Sequence, residues 1–205
     1  MAIFEVYAGD TLIHHSQSPS PDVKLLNPKL KLEISAAGSF TCKIPPTNIG
    51  YDLVDRFTTE IKVLKDGIEL WCGRVLTEEM DFYGNRSITC EGELAYLNDT
   101  TQPPAEYHDM TVRGFLDTLL TVHNNKVTSN KRFSVGIVTV TDPNDSLYRY
   151  TNFESTLEAV KDKTIDRLGG YIRIRKENGV RYLDYLESPI NTNSQTIEFG
   201  KNLLD

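Results

Sequence analysis

The chain has 205 residues, 39% hydrophobic and 25% charged, with a net charge of −7. That is enough apolar material for one large core or two small ones, and it excludes disorder by composition. Without a basic tail, and with RIRK (173–176) as the longest basic cluster, it also argues against a nucleic-acid or anionic-membrane binder.

The first hundred residues read as strands. Ile3, Phe4, Val6 and Tyr7 precede a turn at Gly9-Asp10. Leu30, Leu32 and Ile34 alternate with Lys29, Lys31 and Glu33, a period of two, and Phe40, Cys42 and Ile44 repeat it after Gly38. Pro45-Pro46 stops that ladder, because proline has no backbone N–H to donate. TTEIKVLKD then meets the hairpin dipeptide Asp66-Gly67, ELWCGRVLTEEMDFY follows, Gly84-Asn85 turns, and RSITCEG returns. Gly73 inside the long middle strand suggests a bulge or sharp bend.

The pattern changes after residue 100. TQPPAEYHDM (101–110) reads as a proline-containing connector. Thr111 caps a helix running to His123, with Val112, Phe115, Leu116, Leu119, Leu120 and His123 on one face. RFSVGIVTVT is a strand, Asp142-Pro143-Asn144-Asp145 a turn, and Ser155–Leu168 a second helix closed by Gly169. Its buried face is Leu157, Val160, Thr164, Ile165 and Leu168. YIRIRK and VRYLDYLE form a hairpin around Glu177-Asn178-Gly179, and QTIEF (195–199) is a last strand. The order predicts an α+β fold, predominantly antiparallel β, with two barrel-like β units and two or three helices. The expected bounds are 1–100 and 101–205, with the last strand free to return to the first unit.

Site chemistry is sparse. Cys42, Cys72 and Cys90 are odd in number and lack a C-x-x-C spacing, so a disulfide framework or zinc site is not expected. Each sits among alternating apolar residues, as a small buried hydrophobe does. CEGE (90–93) combines a cysteine with two carboxylates. Glu91 and Glu93 share a face if the strand continues, as do Glu79 and Asp81, but nothing apolar beside either pair would raise a carboxylate pKa as acid catalysis needs. His14 and His15 are adjacent and point to opposite faces of a strand. His108 falls in the connector, and His123 ends a helix, where a protonated ring favours the dipole. Asp142–Asp145 lacks the ligand count of a calcium loop. The tyrosines 148, 150, 171, 182 and 185 suit a sheet surface, core or subunit contact better than a sugar platform. The sequons at Asn85 and Asn98 carry no weight without a secretion signal, and no apolar run approaches the ~20 residues of a membrane helix. No catalytic, cofactor-binding or metal-ligating residue is assigned, and no cofactor is expected. CEGE is expected instead to be a strand end, with Ile88 and Cys90 inward and Arg86, Ser87, Thr89 and Glu91 outward. Gly92 then bends the chain into a short helical turn from Glu93.

Three blocks carry a resemblance: GSFTCKIPPTNIGYDLV (38–54), DGIELWCGRVLTEEMDFYGNRSITCEGELAYLNDTTQPP (66–104), and LGGYIRIRKENGVRYLDYLE with TIEFGKNLLD (168–187 and 196–205). Together they resemble the N-terminal hub region of phage and prophage tail proteins, the family of phage minor structural proteins, tail-associated lysins and prophage endopeptidase tails. That region is similar in fold to the baseplate hub protein of contractile phages. The resemblance implies a homotrimer at the virion tail tip, synthesised in the bacterial host cytoplasm. Its implied partners are the hexameric distal tail protein ring, the tape measure protein, and receptor-binding or baseplate proteins. DNA would pass through the lumen without specific binding, helped by acidic walls, and this region would not insert into a membrane. The family also implies that this is the N-terminal part of a longer protein, with any peptidoglycan hydrolase activity or receptor contact in a C-terminal region, so the chain itself is not expected to be an enzyme. The alternative is a wall-degrading or carbohydrate-binding module acting on the bacterial surface.

Overall fold

A computed structural model describes residues 2–143 and 148–188. Their fold is α+β and mostly antiparallel: a seven-stranded sheet curled into a half-barrel, followed by helices packed with two smaller sheets. The half-barrel comprises β1 (Phe4–Ala8), β2 (Thr11–His15), β3 (Leu26–Lys31), β4 (Ser39–Ile44), β5 (Glu60–Lys65), β6 (Ile68–Met80) and β7 (Arg86–Gly92). Their order across the sheet is β2-β1-β5-β6-β7-β4-β3. Alternation puts Phe40, Cys42, Ile44, Ile61, Val63, Ile88 and Cys90 in one core, as the period of two requires. Asn48 links edge strand β2 to the segment before the other edge strand, β3: its amide donates to Ile13 O (2.8 Å) and Lys24 O (3.1 Å). The expected Asp66-Gly67 hairpin is present, with both residues at positive φ.

After a 3-10 helix at Glu93–Asp99 come β8 (Ala105–Tyr107), α1 (Val112–Asn124), β9 (Ser134–Val138) and β10 (Arg149–Thr151). A helical stretch follows as α2 (Thr156–Val160), a π turn (Lys161–Ile165) and α3 (Asp166–Leu168), then the hairpin β11 (Tyr171–Glu177) and β12 (Val180–Leu186). The Thr111 hydroxyl accepts from Gly114 N, the expected N-cap, and the Ser155 hydroxyl caps the second helix by accepting from Glu158 N. Phe115, Leu116, Leu119 and Leu120 meet Leu157, Val160, Ile172, Leu183 and Tyr185 in a second core. The first core ends at Cys90 and the second begins at Leu94, so the CEGE stretch lies between them.

Several expectations are corrected. The 101–110 connector contains β8, which pairs with β10; its prolines, Pro103 and Pro104, stand before the strand and leave its N–H groups free to pair. β9 pairs parallel to β12, through a register shift beside Asp184, whose carboxylate accepts from Ile137 N (2.8 Å). Gly73 sits in regular register with Ile61 and Gly92; the bulges of β6 fall beside it, at Leu70 and Leu76. Its requirement is space: a Cβ there would lie 2.2 Å from Glu91 O and 2.6 Å from the Trp71 ring. β3 ends at Lys31, so Leu32 and Ile34 do not continue its buried face, and Ile34 is 83% exposed. QTIEF (195–199) and the Asn144-Asp145 half of the turn cluster lie outside the described residues.

Candidate functional site

The CEGE stretch carries no nucleophile. Cys90 is fully buried in the first core, and burial pushes its thiol up to about 12. Burial likewise raises the Cys42 and Cys72 thiols above their ordinary range. All three stay protonated and unreactive at neutral pH.

The two carboxylates part company because the strand stops between them. Gly92 turns the chain where a Cβ would lie 1.8 Å from Ala37 O, and Glu93 opens the 3-10 helix. With three residues per turn, Glu93, Tyr96 and Asp99 stack along one side of it, while Leu94 and Leu97 line another and enter the second core. Each member of the polar stripe holds cations. Glu93 is buried and accepts from Arg181 Nε at 3.0 Å and a second Arg181 nitrogen, with Lys176 Nζ at 3.1 Å. Asp99 accepts a two-pronged pair from Arg74 (2.6 and 2.7 Å) and a third bond from Lys131 (2.7 Å). The Arg74 and Arg181 guanidiniums both pack on the Tyr96 ring, 5.1 and 5.2 Å from its centroid. Arg74 also donates to Glu91 at 2.8 Å, so Glu91 faces outward as expected but is paired rather than simply solvated. Burial works against the Asp99 charge, yet the Arg74 and Lys131 hydrogen bonds outweigh it and hold its pKa below the usual range. Lys176 shows the mirror image: burial opposes its charge, and Glu93 with Glu69 holds its pKa above the ordinary value.

Two corrections belong here. Arg86 points inward, in step with Ile88; its guanidinium donates to Tyr51 O and Val54 O and, at 2.7 Å, to Glu78. His123 is neutral rather than a cation at a helix end. It is completely buried, and burial lowers its pKa. Its Nε2 donates to Lys131 O (3.0 Å), so Nδ1 accepts from the Thr100 hydroxyl (2.7 Å). Thr156 and Gln102 extend that chain at 2.8 and 2.7 Å, tying the end of the 3-10 helix to α1 and α2. Sequence reasoning missed this seam, whose four polar residues fall in three separate elements.

Glu60, Cys72 and Glu93 offer ligand atoms within 4.8 Å of one another. Lys62 (3.0 Å from Glu60) and Lys176 (3.1 Å from Glu93) already supply the positive charge, so the group is an ion-pair nest rather than a metal centre. Of the other candidates, Asp81 shapes the β6–β7 turn. Its carboxylate accepts from the Asn85 side chain, from Asn85 N and Tyr83 N, and pairs with Lys43; led by Asn85, these bonds hold its pKa down to about 2. Glu79 is exposed beside it. His14 accepts from Leu25 N (3.1 Å) and His15 lies 4.0 Å from Glu5, while His108 packs on Tyr148 at 5.0 Å. Buried Asp142 pairs with Arg149.

Exposed apolar side chains gather at two places on the surface. The turn raises Met80 (67% exposed), Phe82 (97%) and Tyr83 (81%) into solvent. At the other end of β6, Ile68 and Leu70 join Leu32, Ile34 and Ile174 around a groove of about 710 Å³ beside the junction. Exposed apolar groups gathered in this way mark contact surfaces.

The architecture has counterparts among solved structures. The tail protein from Neisseria meningitidis MC58 superposes on 90% of this chain and 50% of its own, with a TM-score of 0.56 at 16% identity. The 43 kDa tail protein of prophage MuSo2 from Shewanella oneidensis does so over 90% and 55%, at 0.58 and 13%. The chain has the fold of phage tail proteins. Prophage tail protein gp18 from Listeria monocytogenes EGD-e shares that fold too, over 89% of this chain and 50% of its own (TM-score 0.52, 14% identity). The chain thus spans about half the length of the tail proteins it matches. No family model and no curated protein matches the sequence.

Proposed function

We propose that this protein is a structural component of a phage or prophage tail, acting at the tail tip as a hub. The tail-protein fold over nine-tenths of the chain carries the reading. The site chemistry supports it: the charges buried at the junction are held in ion pairs that brace it, and the thiols are buried. In this reading residues 1–100 and 101–205 form two hub units, and three copies present a quasi-sixfold face to the distal tail ring, with an acidic lumen that repels DNA phosphate. A longer protein would carry a wall hydrolase or receptor contact beyond this region, and the region itself would be non-enzymatic.

Immunogold labelling of phage particles from the bacterium that carries the gene tests the location. Gold at the distal end of the tail is expected; label along the tube, or on cells but not particles, overturns the hub. Incubation of the 205-residue protein with purified peptidoglycan should release no soluble fragments. Release that is lost in Glu91→Gln or Glu93→Gln would instead establish a wall-degrading module.

A further inference from the structure

The two exposed apolar features lie at opposite ends of one strand. Ile68 and Leu70 open β6 and Met80 closes it, 13 residues along. At ~3.3 Å per residue the ends are at most roughly 40 Å apart, and a continuous strand keeps tip and groove of the same copy from meeting. Their shapes are opposite. The tip is convex and preset, because Asp81 ties down the turn with the Tyr83 N, Asn85 N and Asn85 side-chain bonds. The groove is concave and apolar, flanked by the Trp71 ring. Their surroundings are opposite in charge as well. In the stem behind the tip Glu78 pairs with Arg86 and Asp81 with Lys43, which leaves exposed Glu79 in excess. The groove opens at Glu69 and Lys176 into a second cleft where Lys62, Lys176 and Arg181 are balanced by Glu60, Glu69 and Glu93, which leaves Arg132 in excess.

We propose that the Met80–Phe82–Tyr83 tip of one copy seats in the Ile34–Ile68–Leu70 groove of the next. The stem, with Glu79 in excess, then lies over the cleft, with Arg132 in excess. The contact is head-to-tail, since the two surfaces differ, and such contacts repeat until a ring closes. This deepens the assembly reading and rests on it. At about 150–250 Å² for each buried aromatic ring, the contact is small, so it is reversible in the isolated protein and reinforced by neighbours in a closed ring.

Two variants of the 205-residue protein with one added cysteine each test it, Tyr83→Cys and Ile34→Cys; the three native cysteines are buried. With a short bis-maleimide, a cross-linked dimer should form in the 1:1 mixture and in neither variant alone. Phe82→Ser should weaken self-association about tenfold or more by sedimentation equilibrium, as loss of a central aromatic anchor does. A dimer from Tyr83→Cys alone means tips pair with tips and overturns the proposal. Protection of the Ile34→Cys thiol that persists at every dilution means that the chain covers its own groove, and overturns it too. So does a wild-type protein that stays monomeric at all concentrations. Tail-tip immunogold label without the mixed cross-link removes this contact and leaves the hub reading standing.

Discussion

The junction and the tip are the two ends of the same hairpin. At one end β6 and β7 close with Gly73 opposite Gly92; at the other they open into the Met80–Arg86 turn. The junction takes charges out of water and pairs every one it buries: Arg74 with Glu91 and Asp99, Arg181 and Lys176 with Glu93. The tip puts rings into water, Phe82 and Tyr83 in edge contact at 5.6 Å with little else around them. A buried ion-pair network adds little net stability over an apolar one, but it tolerates only one arrangement of its partners. An exposed aromatic pair adds almost nothing to folding and gains by being covered. The junction thus sets geometry within a copy, and the tip is left for something outside it.

Removing one junction partner should separate the two ends most sharply. Arg74→Met leaves Glu91 without its partner and Asp99 with Lys131 alone. Because both acids retain some solvent contact, we expect a loss of about 2–4 kcal/mol, at or below the range for fully buried pairs, read as a lower urea midpoint. An unchanged midpoint would mean that the junction charges are ornamental. Acid is a gentler probe. His14 and His123 both have pKa values lowered below 6.5, in each case chiefly by burial. The folded state therefore binds fewer protons than the unfolded one below that pH. Stability should be complete above pH 6.5 and fall as the pH drops through it, by at most about 1.4 kcal/mol per histidine at pH 5.5. Asp99, whose pKa is also lowered, adds a further loss only below its unfolded value near 4. Urea midpoints at pH 7.5 and 5.5 check the direction. The smallest effect belongs to the tip: Phe82→Ser should change stability by no more than about 0.5 kcal/mol in either direction, as exposed positions do, and a larger loss would show that the ring supports its own turn.

Much of this was legible from sequence where the signal is local. Alternation placed Ile88 and Cys90 inside, the Thr111 cap began the first helix, the second began at Ser155, and Gly92 marked the bend before the 3-10 turn. Pairings between distant segments were not legible. The seam from Gln102 through Thr156 and Thr100 to His123 depends on which loop meets which helix, and nothing in 101–110 announces that β8 will find β10. The spacing of Glu93, Tyr96 and Asp99 was in view, but it has meaning only once the helix is known to have three residues per turn. Exposure misled in one place: Leu32 and Ile34 carry the pattern of a buried strand face and instead line the groove.

Trp71 has a use beyond packing. It is the one tryptophan in the chain, and its indole rests over Gly73, donates to Ala37 O at 3.2 Å, and lines the apolar groove. The molecule therefore carries a single indole reporter where the two cores meet, excitable apart from the tyrosines, and whatever settles into that groove writes its arrival into the emission of an unlabelled protein.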